Sequence, residues 1–392
     1  MRVRVPPLAP SSRHWQAGAH GSRLGRSSRR GRDLSKAVKI DDVARLAGVS
    51  PMTVSRVMNR APGVRDKTRE VVQAAIEELG YRPNAAARNL ARAGAGRLGM
   101  LYSNPSAGYL SQFLLGALEG AHQVGAQLLL EKCEADGDSE RAAVARLADG
   151  GVTGVVLPPP HGESWAALAA VKAKGLAAVA VAPGRFRSAA PAIRIDDLSA
   201  AAEMTRYLLD LGHRRIGFIK GADNQTASAE RLIGFETEVA AFAEPVESLI
   251  EAGAFTYRSG FDAAERLLAA DRPPTAIFAS NDDMAAAAIA AAHRRGLDVP
   301  RDLTVVGFDD TPVAQEIWPA LTTIRQPVAE MAEMAVRLLD EGVATAAEGE
   351  TGAQHLIRHT LIIRDSSAAP AARSATACLT GRLRFNDVSA NI

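Results

Sequence analysis

The run Ile40-Asp-Asp-Val-Ala-Arg-Leu-Ala-Gly-Val-Ser-Pro-Met-Thr-Val-Ser-Arg-Val-Met-Asn59 carries two apolar stripes of helical period separated by one glycine. Val43, Leu46 and Ala47, then Val54 and Val57, have the spacing of two short amphipathic helices facing each other across a turn. Gly48 suits that turn, Ser50 is a good N-cap, and Pro51 stands at a first helical position, where its missing N–H costs nothing. A third helix is expected near Asp66 to Leu79, with Val71, Ala75, Ile76 and Leu79 on one face and a stop at Gly80. Three short helices around a shared core make a helix-turn-helix unit.

The charge distribution points the same way. Residues 1–100 hold 20 Lys and Arg against 7 Asp and Glu, leaving 26 against 37 beyond, although the whole chain is only +2. The front therefore suits a polyanion and the body does not. Ten of the 20 basic residues precede Ile40, in a Pro/Gly/Ser/Arg-rich segment that reads as a disordered basic extension over 1–37. No run approaches the roughly 18 to 20 apolar residues of a membrane-spanning helix, and the N-terminus lacks the apolar core of an export signal. The expected compartment is the cytoplasm. Cys133 and Cys378 show no ligand-like spacing with histidine, so neither a disulfide framework nor a metal site is expected.

From Arg97 the pattern changes to short apolar runs alternating with alanine-rich helical stretches. Leu98–Tyr102, Gln127–Glu131, Val152–Leu157 and Ala177–Ala182 form one series of strands. Arg215–Ile219, Ser248–Glu251, Thr275–Ala279 and Leu303–Gly307 form another. Strands separated by helix-length segments imply parallel sheets with right-handed crossovers, hence an α/β body of two like lobes. Gly94-Ala-Gly-Arg-Leu-Gly99 spells a dinucleotide fingerprint, but it precedes a strand where the fingerprint must follow one, so no cofactor is expected. No P-loop or Gly-x-Ser-x-Gly sequence appears.

The opening run, with Glu78-Leu-Gly-Tyr-Arg-Pro-Asn84, resembles the headpiece of the lactose-repressor/galactose-repressor family of bacterial transcriptional regulators. Leu211-Gly-His213, Ala279-Ser-Asn-Asp282, Val305-Val-Gly-Phe-Asp-Asp310 and Leu321-Thr-Thr-Ile-Arg-Gln326 extend the resemblance across Val38 to Arg364. Asp41, where family members often have tyrosine, and Arg65, where a serine usually caps the third helix, depart from it. The resemblance implies a helix-turn-helix domain over 38–82, a hinge helix and linker over 83–96, and a two-lobed periplasmic-binding-protein-like body over 97–365. A disordered tail is expected over 366–392. Chain crossings between lobes are expected near Ile193 to Asp196, near Ala320 to Gln326, and after a helix over Gln326 to Leu339. The implied partners are double-stranded operator DNA, a small-molecule effector and a second copy of the chain.

On the DNA side, the first turns of the second helix offer Pro51, Met52 and Arg56 to base edges. Arg56 can address a guanine bidentately or contact phosphate, while Pro51 and Met52 offer apolar contact only. Ser50, Thr53, Ser55 and Asn59 are short donors suited to phosphates. Asn84 to Leu90 matches the family's hinge, with Leu90 either a minor-groove wedge or a residue packed on its own domain. On the effector side, the resemblance places Arg231 as an anchor, Asn281 and Asp309 as polar contacts and Phe255 as a stacking face. The alternatives are Phe255 as core and Asp309 as a cap of the following turn. Ser106, Tyr109 and Asp196 stand where first-lobe and crossover contacts are expected, and Ala182-Pro-Gly-Arg185 offers no obvious polar group. An arginine, an amide, a carboxylate and an aromatic face suit a polyhydroxylated ring, so a saccharide or sugar derivative is the expected ligand. Two other functions share the body: an extracytoplasmic sugar-binding protein, which would lack residues like 40–92, and a sugar-processing enzyme, for which no nucleophile–base pair is legible.

Overall fold

A computed structural model of the chain describes residues 40–58, 65–79, 96–103, 106–184, 188–342 and 351–371. Asn59, Asn84, Leu90, the N-terminal extension, most of the hinge and the tail beyond 371 lie outside the described residues, as do the side chains of Ser55 and Arg56. The chain divides into two compact units, 1–84 and 85–392.

In the first unit α1 (Ile40–Ala47), α2 (Pro51–Met58) and α3 (Asp66–Leu79) close over Val43, Ala44, Val54, Val57, Val72 and Ala75. Gly48 takes φ +63°, the left-handed conformation that ends α1. Ser50 caps α2, its Oγ accepting from the Thr53 amide at 3.2 Å. Two expected core residues face outward: Leu46 and Val71 are each 46% exposed. The reason is period. Val72, Ala75, Ile76 and Leu79 fall at i, i+3, i+4 and i+7, whereas Val71 stands at the edge of that stripe.

The second unit contains two six-stranded sheets of matching design. In the first lobe β1 (Arg97–Tyr102), α4 (Ala107–Val124), β2 (Gln127–Lys132), α5 (Gly137–Asp149), β3 (Gly154–Leu157), α6 (Trp165–Ala173), β4 (Ala177–Val181) and β5 (Ala192–Arg194) follow in turn. The chain then enters the second lobe through α7 (Asp197–Asp210), β6 (Arg215–Lys220), α8 (Thr226–Ala241), β7 (Glu247–Ala252), α9 (Tyr257–Leu268) and β8 (Ala276–Ala279). It continues there with α10 (Asp282–Arg294), β9 (Thr304–Asp309), the single turn α11 (Val313–Glu316) and β10 (Thr322–Arg325). Next, α12 (Val328–Glu341) returns to the first lobe, β11 (Gln354–Leu356) joins its sheet, and β12 (Thr360–Ile362) crosses back. The orders are β11-β5-β4-β3-β1-β2 and β12-β10-β9-β8-β6-β7, so the lobes repeat one plan. Every pairing is parallel except β10 with β12. The three crossings fall after Arg194, after Arg325 and between Leu356 and Thr360.

Helix α12 is held in the first lobe by close approach to α4. A Cβ at Gly116 would overlap the Ala329 carbonyl, and one at Gly120 would stand 3.0 Å from the Glu333 carbonyl oxygen. The body also runs past its expected end at 365. Ser366 is fully buried, its Oγ donating to Val305 O at 2.6 Å and accepting from Thr322 N at 2.8 Å, and Ala368 O accepts from Thr304 Oγ1 at 2.9 Å. Alanine and serine there read as disorder by composition, yet their polar atoms complete the edge of the second sheet. Cys133 is buried 3.4 Å from His161 Nε2, and burial pushes its thiol up to about 11. Among the described residues no helix is long and apolar enough to cross a membrane.

Candidate effector cleft

Parallel strands of both sheets end toward one cleft, where loops supply the side chains. Ser106, Tyr109, Pro159, Ala182, Gln225, Ala227, Arg231, Phe255, Asn281, Asp309 and Gln326 line a cavity of about 30 Å³ there. Ligand pockets usually run to ~300 Å³ or more, so the lobes are drawn close. They are also bonded. Glu163, on the turn after β3, accepts from Thr226 N at 2.8 Å and shares a 2.7 Å bond with Thr226 Oγ1 at the start of α8. Thr226 Oγ1 also lies 2.6 Å from Pro183 O, and Gln112 Nε2 donates to Asp310 O at 3.2 Å. Burial raises the Glu163 carboxyl to about 7.

Arg231, on α8, is buried in a fixed pose. Its Nε donates to Asp197 at 2.9 Å, one terminal nitrogen donates to Ser280 O at 2.6 Å and lies 3.7 Å from Asp309 Oδ1, and the guanidinium stacks 3.6 Å from the Phe308 ring centroid. Asp309 ends β9 with φ +112°, a strained conformation for a residue with a side chain. Its Oδ1 accepts from Gln326 Nε2 at 2.6 Å. Burial pushes its carboxyl up to about 7 against the opposing pull of Arg231 and Gln326. Burial likewise raises Asp197 beside Arg231, and Asp282 beneath, whose oxygens accept from Thr311 and Thr323.

Among the described residues, two groups in the cleft lack partners. The Tyr109 hydroxyl and Gln326 Oε1 are buried side-chain atoms with no hydrogen bond. Tyr109 is inside the first lobe at the start of α4, and burial raises its phenol, so it faces the cleft as a neutral O–H.

Six of the seven expected effector residues meet in this cavity: Ser106, Tyr109, Arg231, Phe255, Asn281 and Asp309. Asp196 does not. It caps α7, accepting from Ser199 N at 3.2 Å, and its neighbour Asp197 faces Arg231 instead. Phe255 both lines the cavity and belongs to the second lobe's core, held at φ +58° with its ring over Gly221. Asn281 spends much of its amide locally, capping α10 through Met284 N at 3.0 Å and donating to Phe255 O at 3.1 Å. Gln326, Gln225 and Asp197 were not expected as site residues. For Asp197 a signal existed: in Asp196-Asp197-Leu-Ser199 the first aspartate caps, which frees the second to point elsewhere. Of the expected DNA-side residues, Ser50, Pro51 and Met52 are exposed on the headpiece, with Met52 at 73%, and Thr53 is half-buried.

A helix-turn-helix unit ahead of a two-lobed binding body defines a ligand-responsive DNA-binding protein, and comparison with known proteins agrees. Residues 39–84 match the bacterial regulatory proteins of the lacI family, and residues 205–367 match the periplasmic binding protein-like domain. Catabolite control protein A of Priestia megaterium is 34% identical over 309 residues, covering 77% of this chain and 91% of that protein. Among solved structures, the complex of transcriptional regulator CelR with cellobiose is similar with a TM-score of 0.62 and 30% identity, over 84% of this chain and all of that one. The lac repressor dimer bound to operator and the anti-inducer ONPF gives 0.61 and 28%, over 85% of this chain and all of that one. The chain belongs to the lacI family of bacterial transcriptional regulators.

Proposed function

We propose that this protein is a sequence-specific DNA-binding repressor of the cytoplasm whose operator affinity is set by a saccharide or sugar derivative held between its lobes. The observation that carries this reading is the pair of partnerless buried groups, Tyr109 OH and Gln326 Oε1, in a cleft on the same chain as a helix-turn-helix unit. An unmade buried hydrogen bond costs about 1–3 kcal/mol, and a polyhydroxylated ligand supplies both at once. Phe255 offers an apolar face, and Arg231, Asn281, Asp309 and Ser106 the surrounding polar contacts. The cellobiose held by a solved relative supports the ligand class. No catalytic role is assigned to the cleft: its carboxylates are engaged with Arg231, Gln326 and threonines.

In the headpiece Arg56 reads a base edge, Pro51 and Met52 make apolar contacts, and Ser50, Thr53, Ser55 and Asn59 hold phosphates. Two copies of the chain bring two headpieces to two half-sites, while Asn84 to Leu90 folds against the minor groove with Leu90 as the wedge. Because the cavity is small when the lobes are bonded, ligand entry must part them or reset their contacts. Differential affinity for two lobe arrangements is what lets a ligand change operator binding. The test is selection from a random duplex library by the full-length protein, followed by operator affinity with and without a saccharide panel. Enrichment of a two-fold-related site whose affinity changes with one sugar is expected; binding without sequence preference, or a site indifferent to every saccharide, overturns the proposal.

A further inference from the structure

Resting on that assignment of the cleft, we infer that it selects uncharged sugars and refuses their acidic counterparts, uronates and sugar phosphates. Charge is the first ground. Arg231 is the only cation lining the cavity among the described residues. It is already shared between two carboxylates, Asp197 at 2.9 Å and Asp309 at 3.7 Å, with the Ser280 carbonyl as a third acceptor. Asp283, a helical turn's start away on α10, adds another acid bonded to Ser106, and Asp282 lies beneath. Among the described residues an anion entering here finds its one cation already committed to Asp197, Asp309 and the Ser280 carbonyl, in a poorly screened interior where a second negative charge is costly.

Hydrogen-bond direction is the second ground. Arg231 and the Gln326 amide both favour the ionised form of Asp309, which can only accept, and in that form its 2.6 Å bond from Gln326 Nε2 leaves Oε1 turned away. That Oε1 is buried and partnerless. It demands a donor. A hydroxyl donates; carboxylate and dianionic phosphate oxygens do not. The Tyr109 hydroxyl, of a residue lining the same cavity, accepts or donates, and so pairs with a second hydroxyl without calling for charge. Uncharged polyols satisfy both groups, and an acidic substituent at this side leaves Gln326 unpaired while facing Asp309.

The experiment is calorimetric titration of the full-length protein with matched sets from the gluco, galacto, manno and cello series, each offered as the neutral sugar, the aldonic or uronic acid and the phosphate. A neutral member should bind, with its acidic forms roughly 100-fold weaker or beyond detection. Asp309→Asn, which retains an acceptor for Gln326, should shrink that gap at least about tenfold, provided its far-ultraviolet circular dichroism matches the parent protein. An acidic form that binds as tightly as its neutral parent overturns the inference while leaving the saccharide assignment standing. Failure of every member of every series to bind removes the assignment itself, and the inference with it.

Discussion

Replacing Tyr109 by phenylalanine should raise the stability of the ligand-free protein and weaken its ligand, two effects of opposite sign from one deleted oxygen. Tyr109 is 5% exposed, and its ring packs beside Phe113 with centroids 6.3 Å apart, so the phenylalanine ring keeps the same contacts. What is lost is a hydroxyl without a partner. Leaving such a group unsatisfied costs about 1–3 kcal/mol, against which a small hydroxyl-sized void must be set. A net gain of about 1 kcal/mol is reasonable for Tyr109→Phe, and for a domain of this size that raises Tm by roughly 2–4 °C. In the ligand complex the same oxygen makes a hydrogen bond with a net worth of about 0.5–1.5 kcal/mol, so affinity should fall about 2- to 13-fold. Thermal melts without ligand and calorimetric titration with the sugar found by panel screening measure the two sides separately. A lower ligand-free Tm means the hydroxyl is already satisfied. A higher Tm with unchanged affinity means it does not touch the ligand. Either result refutes the reasoning.

Glu163 makes a pH-dependent prediction, because the single hydroxyl proton of Thr226 stands between two acceptors, Glu163 at 2.7 Å and Pro183 O at 2.6 Å, and a protonated Glu163 resolves that conflict. Its carboxyl is raised from 4.5 to about 7, so the folded state binds the proton more tightly: this stabilisation is complete below about pH 4.5 and is lost as pH rises through 7. The Tm of the parent protein minus that of Glu163→Gln should therefore fall between pH 5 and pH 8, and a flat difference in melting scans disproves the protonated latch. Gly116→Val should force α4 from α12 at the Ala329 carbonyl and cost on the order of 1–3 kcal/mol or more by urea titration; an unchanged midpoint contradicts the packing. Arg56→Ala should lose about 1–3 kcal/mol at one base pair of the selected operator, and a uniform loss across operator variants in anisotropy titrations makes Arg56 a phosphate contact.

The parts of this molecule that were legible in its sequence are those whose cause is local. Strands β1 to β4 and β6 to β9 are apolar runs bounded by turns, and a run such as Thr304–Asp309, buried at every position, has few other uses. The short strands escaped. Ala192–Arg194, Gln354–His355–Leu356 and Thr360–Ile362 have three residues each, too few for a period, and Thr322–Arg325 owes its threonines to specific partners of their hydroxyls, Ser367 and Asp282, rather than to a pattern. The first residues of the expected tail, 366–371, escape for the same reason: Ser366 and Ala368 are bland in composition and become structural only through Val305, Thr322 and Thr304.

The cleft divides along the same line. Arg231, Asn281 and Asp309 could be marked by resemblance because each follows a recognisable motif, and Ser106 and Tyr109 because they follow the first strand. Gln326 stood inside one of those motifs and was passed over, since its importance lies in which of its two amide atoms is already used. Whether a polar atom has a partner depends on groups contributed by distant segments: here Asp309 at the end of β9 claims one end of a side chain just after β10 and leaves the other to the cleft. Satisfaction of hydrogen bonds is thus a property of the assembled neighbourhood, and the unsatisfied remainder, Tyr109 OH and Gln326 Oε1, is what turns a cleft expected from fold alone into one that asks for a hydrogen-bond donor.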